Sequence, residues 1–400
     1  MQSIPFSKMS VNGNNFVILD ETQQPVLSEP QKSEFAYFAT ETNFGVGCDN
    51  MLVVQTCTDD TFMEINTHRR YWKQMPESSS AEYIFRMFEP NGEEALSCGN
   101  GLKCIARYLF YRYGIEQARI MTELPLEQSR VVTIGTDSKS QMSWANMGFP
   151  RRVPGSHYCP QTHQSLDEPI DWIAGIQVKF RENDLAPYTI DNQLTLSGYL
   201  VFTGEPHLVV LDSGLSDPAV SRTLFTETIN RTNKNENTDK RVNFGSSLIQ
   251  LIGSYVNKNC RHLFPAGINI NFAHYSPQQQ RVEYRCFERG IEKETLACGT
   301  GALAVAFVMR WLKMINDRVI TVLPHCCRYY HPDAELVVEE RPDGWVLSSQ
   351  PKYLFAGDYH FNSAYDQPGK EAFFDQSKHF AGIAESTKPG VTTPISQYQI

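Results

Sequence analysis

Two stretches of this chain carry the hydrophobic period of a helix, and both begin at the same short motif. After Cys98-Gly99-Asn100-Gly101 the apolar residues Leu102, Ile105, Ala106, Leu109 and Phe110 recur at i, i+3, i+4, i+7 and i+8 and stop near Gly114, which predicts a helix with one buried face. After Cys298-Gly299-Thr300-Gly301 the run from Ala302 to Met309 is apolar all round, which predicts a helix buried on every side. Elsewhere alternation with a period of two dominates. Residues 15–20, 51–55, 83–88, 131–135, 199–202, 208–211, 282–287 and 334–339 read as strands. The pattern is that of a sheet-rich α/β chain with one long helix per half.

Polar stretches interrupt it. Residues 230–240, rich in asparagine and balanced in charge, read as a mobile loop. Residues 59–80 and 150–197 read as insertions, with the basic cluster His68-Arg69-Arg70 as a solvated face. Residues 386–400 read as a loosely held tail.

A chain of 400 residues with 41% hydrophobic content exceeds what one core normally holds, so two domains are expected. A net charge of −9 argues against nucleic acid or an anionic membrane as partner. No run of about 18 apolar residues occurs, and the first residues lack a basic region followed by an apolar one, so a soluble, cytoplasmic protein is expected. Ten cysteines without the dense spacing of a disulfide scaffold suggest a reducing compartment. No pair has Cys-x2-4-Cys spacing, so no metal is expected.

The paired cysteines carry the chemistry. The first N–H groups of a helix lack internal partners, and glycines let a ligand approach them, so each mouth can bind a carboxylate. The same partial charge is expected to bring a thiol there below its usual value of about 8.5. If the two mouths face each other across a cleft, one thiol lies on each side of an α-carbon whose carboxylate both helices hold. One thiolate can then take the proton and the other thiol return it, which inverts the centre without a cofactor. A single buried cysteine is more often an inert core residue. It is the matched pair, with the same glycine spacing and a helix behind each, that singles out Cys98 and Cys298 among the ten.

These residues resemble the diaminopimelate epimerase family, the pyridoxal-independent two-cysteine amino-acid isomerases, from the N-terminus to about Gly357. The resemblance rests on Phe6-Ser7-Lys8-Met9 with Gly13-Asn14-Asn15-Phe16, on Gly45-Val46-Gly47 with Asp49, and on Asn91-Gly92-Glu93 ahead of the first cysteine turn. Gly204, Pro206 and His207, then Phe264-Pro265 with Asn269 and Phe272, then Glu288-Arg289-Gly290 and Glu294-Thr295-Leu296-Ala297 ahead of the second turn complete it. It implies an α/β (α+β) fold of two pseudo-symmetric domains, each a mixed sheet around a central helix. The domains would be residues 1–135 plus about 350–360, carrying Cys98, and residues 136–349, carrying Cys298, with 361–400 as a polar tail. It further implies that Cys98 and Cys298 are the paired acid and base, with His207 and Glu288 near them, and that Gly99, Asn100, Gly299 and Thr300 hold the reacting carboxylate. Asn14, Asn50, Asn269, Glu288 and Arg289 would contact the rest of a small amino-acid substrate. No cofactor or metal is implied; family members are often dimers.

Departures from the family bear on the substrate. Glu89 and Glu205 stand where the family has asparagines that bind the distal carboxylate of diaminopimelate, Asn50 stands where it often has glutamine, and Ile291-Glu292-Lys293 is one residue longer than the family link. An ionised glutamate only accepts hydrogen bonds and repels a carboxylate. Both replacements suit a distal ammonium, guanidinium or imidazole. Arg289, the family's carboxylate partner, is retained and could pair with either glutamate. Three functions remain open at this point: a racemase or epimerase of a basic or diamino acid, diaminopimelate epimerase itself, and a binding relative without chemistry.

Overall fold

Strands Gln2–Val11 and Asn14–Glu21 pair antiparallel through a two-residue turn at Asn12 and Gly13, which have φ of 49° and 91°. Positive φ at both positions matches the right-handed twist of the strands, and asparagine and glycine tolerate it best. In the computed structural model, which describes residues 2–96, 98–126, 128–159, 169–179, 193–225 and 244–363, this hairpin begins a unit that occurs twice.

In the first copy, helices and strands follow the hairpin in a fixed order. Helix α1 (Glu29–Thr40) crosses to strand Asn50–Thr56, parallel to Asn14–Glu21. After helix α2 (Asp59–Arg69), strand Tyr83–Phe88 returns antiparallel, and the short strand Glu94–Ala95 folds back on it. Helix α3 (Gly99–Tyr113) leads to Gln117–Thr122, parallel to Tyr83–Phe88, then to Arg130–Thr136 and Ser143–Asn146.

The second copy repeats that order. The hairpin Gln193–Phe202 with Pro206–Leu211 is followed by helices α4 (Pro218–Phe225) and α5 (Phe244–Asn259) and the parallel strand Asn269–Ser276. Strand Arg281–Glu288, the short strand Lys293–Thr295 and helix α6 (Gly299–Trp311) follow, then Val319–Pro324, Leu336–Arg341 and Gly344–Ser349. The copies join where Gly344–Ser349 pairs with Ser143–Asn146. Lys352–Phe361 pairs with Gln2–Val11, as Asp171–Lys179 pairs with Gln193–Phe202. All eighteen described strands thus belong to one mixed sheet, curled so that its inner face packs on both central helices.

The apolar stripes dictate that burial. Leu102, Ile105, Ala106 and Leu109 of α3 and every residue from Ala302 to Met309 of α6 lie in one continuous core. Helix α3 stops at Gly114, whose φ of 69° lets its N–H close on the carbonyls of Leu109 and Phe110.

Three expectations are corrected. Each half holds more than one long helix: α1, α2 and α5 pack on the outer face of the sheet. Helix α1 lacked an apolar signature because its inward side is charged, with Glu29 and Lys32 both buried. Arg69 is not on a solvated face. It is buried, with Nε 3.0 Å from Glu29, which also binds Arg86 at 2.6 Å and Lys32 at 3.1 Å. The strand expected at 334–339 runs from Leu336 to Arg341, after a tight turn in which Ala334 N–H donates to His331. The stretches 230–240 and 386–400 lie outside the described residues. Among the described residues, no helix is long and apolar enough to cross a membrane.

Candidate active site

The two cysteine turns end two copies of one device. Arg86 and Arg285 are almost wholly buried in corresponding strands, and each grips a glutamate of the following short strand with two nitrogens. Arg86 binds Glu94 at 2.9 and 2.6 Å, and Arg285 binds Glu294 at 2.7 and 3.0 Å. Such two-pronged pairs fix orientation as well as distance. Four residues beyond each glutamate comes the cysteine.

Each cysteine caps its helix. Cys98 and Cys298 are extended, with φ of −148° and −102°, and each Sγ accepts the N–H of the third helical residue, Gly101 or Gly301, at 3.4 Å. Sulfur here takes the place of the usual Ser, Thr, Asn or Asp oxygen. The second cap depends on glycine, because a Cβ on Gly301 would lie 2.4 Å from Asn271 Oδ1 and 3.2 Å from Cys298 Cβ. No acceptor is found among the described residues for the amides of Gly99, Gly299 and Thr300, the orphan donors of a helix start.

The two mouths converge. A Cβ on Gly99 or Gly299 would stand 3.3 or 2.8 Å from one atom, Leu347 Cδ2, and the second would also lie 3.4 Å from Asn100 Oδ1. Asn100 Nδ2 donates to Asn14 Oδ1 at 2.6 Å and reaches the carbonyl of Ala297, next to Cys298, at 3.5 Å. Asn14, Gly99, Asn100 and Gly299 therefore meet at one junction, and each of the two glycines directly follows its cysteine.

A polar chain surrounds Cys298. Its Sγ lies 3.4 Å from Thr300 Oγ1, which is 3.1 Å from His207 Nε2, and Asn271 Nδ2 is 2.9 Å from His207 Nδ1. Thr203 donates to the Thr300 carbonyl at 2.9 Å. Burial, with Arg289 adding to it, lowers His207 to about 3, so its ring is neutral. On the other side Glu288 accepts the Thr295 hydroxyl, and burial raises its carboxyl to about 6. Ligating atoms of Cys286, Glu288 and Cys298 lie within 4.8 Å of one another, the one set of three potential metal ligands among the described residues. They come from a strand and a helix cap, which sequence spacing does not reveal.

The expected low thiol value is not found at Cys98. Burial raises this thiol to about 11 and outweighs the Gly101 and Asn100 amides that lower it. A dry environment penalises a lone thiolate more than two amide dipoles favour it.

The remaining predicted residues line the neighbourhood unevenly. Asn269 Oδ1 accepts the Arg289 N–H at 2.9 Å, and Arg289 Nη2 pairs with Glu205 at 2.6 Å, so the retained arginine has a glutamate partner. Asn50 begins its strand beside Phe16, half-buried and without a side-chain hydrogen bond among the described residues. Glu89 is exposed, also without one. Thr295, Asn271 and Cys286 were not picked out from sequence. The alternation through Val282, Tyr284, Cys286 and Glu288 could have flagged the last of these.

The chain is similar to several known proteins. The profile of the family described as diaminopimelate epimerase matches residues 6–153. Among solved structures, a hydroxyproline epimerase from Agrobacterium vitis overlays with a TM-score of 0.48 and 9% identity, over 89% of this chain and 92% of that one. Diaminopimelate epimerase of Archaeoglobus fulgidus is 27% identical over 323 residues, covering 80% of this chain and 86% of its own. That of Methanothrix thermoacetophila is 26% identical over 325 residues, covering 80% and 85%. With the profile spanning the Cys98 turn and relatives aligned across both cysteine turns, this chain is similar to the diaminopimelate epimerase family and is an isomerase of the epimerase and racemase class.

Proposed function

We propose that this protein inverts Cα of a basic or diamino acid, one bearing a distal ammonium, guanidinium or imidazole, using Cys98 and Cys298 as opposed acid and base. The observation that carries the reading is the pair of matched caps, each sulfur at a helix start and both starts meeting at Leu347 and Asn100. The site lies between the two repeats, which we take as domains; the expected boundary at 135 moves past Ser143–Asn146, which completes the first repeat, and Lys352–Phe361 returns to it.

The free amides of the two helix starts bind the substrate carboxylate. One thiolate removes the α-proton, and the thiol opposite delivers its own proton to the other face. The negative charge that builds toward the carboxylate is stabilised by helix N–H groups already oriented for it. Neutral His207 holds Thr300 against Cys298, and Glu288, ionised above about 6, is placed to accept the Cys298 proton. Glu205 and Arg289 offset each other, which leaves the charge of Glu89 to favour a cationic distal end.

A second reading, diaminopimelate itself, is favoured by the Glu205–Arg289 pair and by the relatives' name. The distal end of that substrate carries both an ammonium and a carboxylate, which the pair could divide between its members. Proton NMR of reduced protein in D2O, with lysine, ornithine, arginine, histidine and diaminopimelate in separate tubes, tests both. Loss of the Cα–H signal with a basic amino acid alone supports the first reading, and loss with diaminopimelate alone supports the second. Ligand binding without exchange in any tube would overturn both in favour of a non-catalytic binder.

A further inference from the structure

Cys286 is almost wholly buried and lies two residues before Glu288 on strand Arg281–Glu288, so both side chains leave the same face of the strand. That face meets the start of α6, where the sulfurs of Cys286 and Cys298 and a carboxylate oxygen of Glu288 lie within 4.8 Å of one another. Other groups hold each donor in place. Glu288 accepts the Thr295 hydroxyl, Thr295 stands opposite Cys286 in the ladder, and the Tyr284 hydroxyl donates to the Cys298 carbonyl at 2.8 Å. The Cys298 sulfur accepts the Gly301 N–H and lies beside the Thr300 hydroxyl, both at 3.4 Å.

The inversion chemistry gives Cys286 no task, and the repeat shows that the fold does not require a thiol there. Phe88 faces Met51 in the first copy as Phe287 faces Ile270 in the second, so Met87 corresponds to Cys286 and Glu89 to Glu288. Opposite Met87 stands Ala95, where Thr295 stands opposite Cys286. The first copy thus keeps its helix-cap cysteine but sets an uncharged thioether and an exposed glutamate beside it. Three anionic donors converge only in the second copy.

We propose that Cys286, Glu288 and Cys298 form a binding site for a thiophilic divalent cation such as Zn2+, and that the bound ion blocks inversion. Two sulfurs and a carboxylate select a borderline-soft ion over Mg2+ or Ca2+, which take oxygen ligands. Around tetrahedral zinc, sulfur at about 2.3 Å and oxygen at about 2.1 Å stand roughly 3.6–3.8 Å apart, so the set closes by about 1 Å at most. Three protein donors leave a fourth position for water or for the substrate carboxylate. Written from two thiols and the Glu288 carboxylate, binding breaks two S–H bonds, forms two metal–sulfur bonds and releases two protons. The set carries one negative charge before, from Glu288, and one after, from three anionic donors and a doubly charged ion, so the buried site gains no net charge. Binding is independent of the two-thiol reading above. The block rests on it, because the ion occupies the sulfur electron pair with which Cys298 takes the α-proton.

Cd2+ serves as the probe, because its bonds to sulfur give an ultraviolet charge-transfer band that counts thiolates. Reduced wild type, Cys286→Val, Cys298→Ala and Cys98→Ala are titrated by absorbance and calorimetry, and inhibition is read as the ratio of rates with and without the ion. The thermal transition reports whether each variant folds. Wild type should bind one ion through two sulfur bonds, release two protons, bind more tightly as pH rises, and lose turnover that a chelator restores. Cys286→Val and Cys298→Ala should each remove one sulfur bond and weaken binding by about 100-fold or more, since even an outer partner of a metal site is worth about 10–100-fold. Cys286→Val should resist inhibition to the same degree, and Cys98→Ala should bind as wild type does. No band in wild type, an undiminished band in Cys286→Val, or a band lost in Cys98→Ala overturns the proposal. One ion held by Cys286 and Cys298 with turnover intact overturns the block and, separately from the binding site, the reading of Cys298 as acid or base.

Discussion

Glu89 and Glu288 occupy the same register position in the two repeats, each three residues after a buried arginine, Arg86 or Arg285. Their surroundings differ at one atom. Glu288 accepts the hydroxyl of Thr295, and the residue in the matching place beside Glu89 is Ala95, which has none. One glutamate is tied to the protein and the other is left facing solvent.

Glu89→Gln keeps the size of the side chain and removes its charge. For a substrate with a distal ammonium, KM should rise about tenfold with kcat little changed, the loss of roughly one charge-assisted hydrogen bond. Steady-state kinetics with the substrate found by isotope exchange checks this; an unchanged KM would place Glu89 outside the ligand's reach.

Cys98→Ala and Cys298→Ala should each lower inversion by roughly 10² to 10⁴-fold, the range for losing a positioned acid or base. Each single variant should retain Cα–H exchange with solvent for one enantiomer more than for the other, because one face keeps its thiol. Exchange measured separately for the two enantiomers decides it, and equal residual rates would argue against opposed thiols.

The carboxyl of Glu288 is raised to about 6 from an ordinary 4.5. A carboxyl raised in the folded state contributes stability that is full below its unfolded value and is lost as pH rises through the folded one. Glu288→Gln should therefore melt higher than wild type at about pH 8 and no higher at about pH 4, while its turnover falls. Thermal melts across that range give the sign.

Glu29 shows the opposite linkage. Arg86, Lys32 and Arg69 hold its carboxylate well below the usual range, outweighing burial. Its contribution is present above the unfolded value of about 4.5 and is lost as pH falls toward the folded one. Arg86→Met strands the charges of Glu29 and Glu94 and should cost about 3–5 kcal/mol in urea denaturation at neutral pH. The deficit should shrink as the pH falls and those carboxylates take up protons. A variant as stable as wild type at neutral pH would show that Lys32 and Arg69 suffice for Glu29.

The legibility of the chain followed the apolar pattern. Helices α3 and α6 were visible because Leu102, Ile105 and Leu109, and the run from Ala302 to Met309, carry the core period in their own sequence. Helix α1 was not, since its buried side holds Glu29 and Lys32, which count as surface residues until their partners from other elements are known. Arg69 was misread for the same reason: its carboxylate lies 40 residues away in the chain. Helix α5 did carry a readable stripe, in Leu248, Ile249, Ile252 and Val256, which was passed over.

The sequence by itself determined the duplicated Cys-Gly-x-Gly turn, the helix behind each copy and the resemblance to the diaminopimelate epimerase family, because these rest on local spacing and short motifs. The tertiary structure alone decided that the two helix mouths meet at Leu347, that Arg289 pairs with Glu205, and that Cys298 lies among Thr300, Glu288 and Cys286. It also decided that burial raises the Cys98 thiol rather than lowering it. A helix start favours a thiolate wherever it occurs, but the penalty for burying that charge depends on what the rest of the chain folds over it.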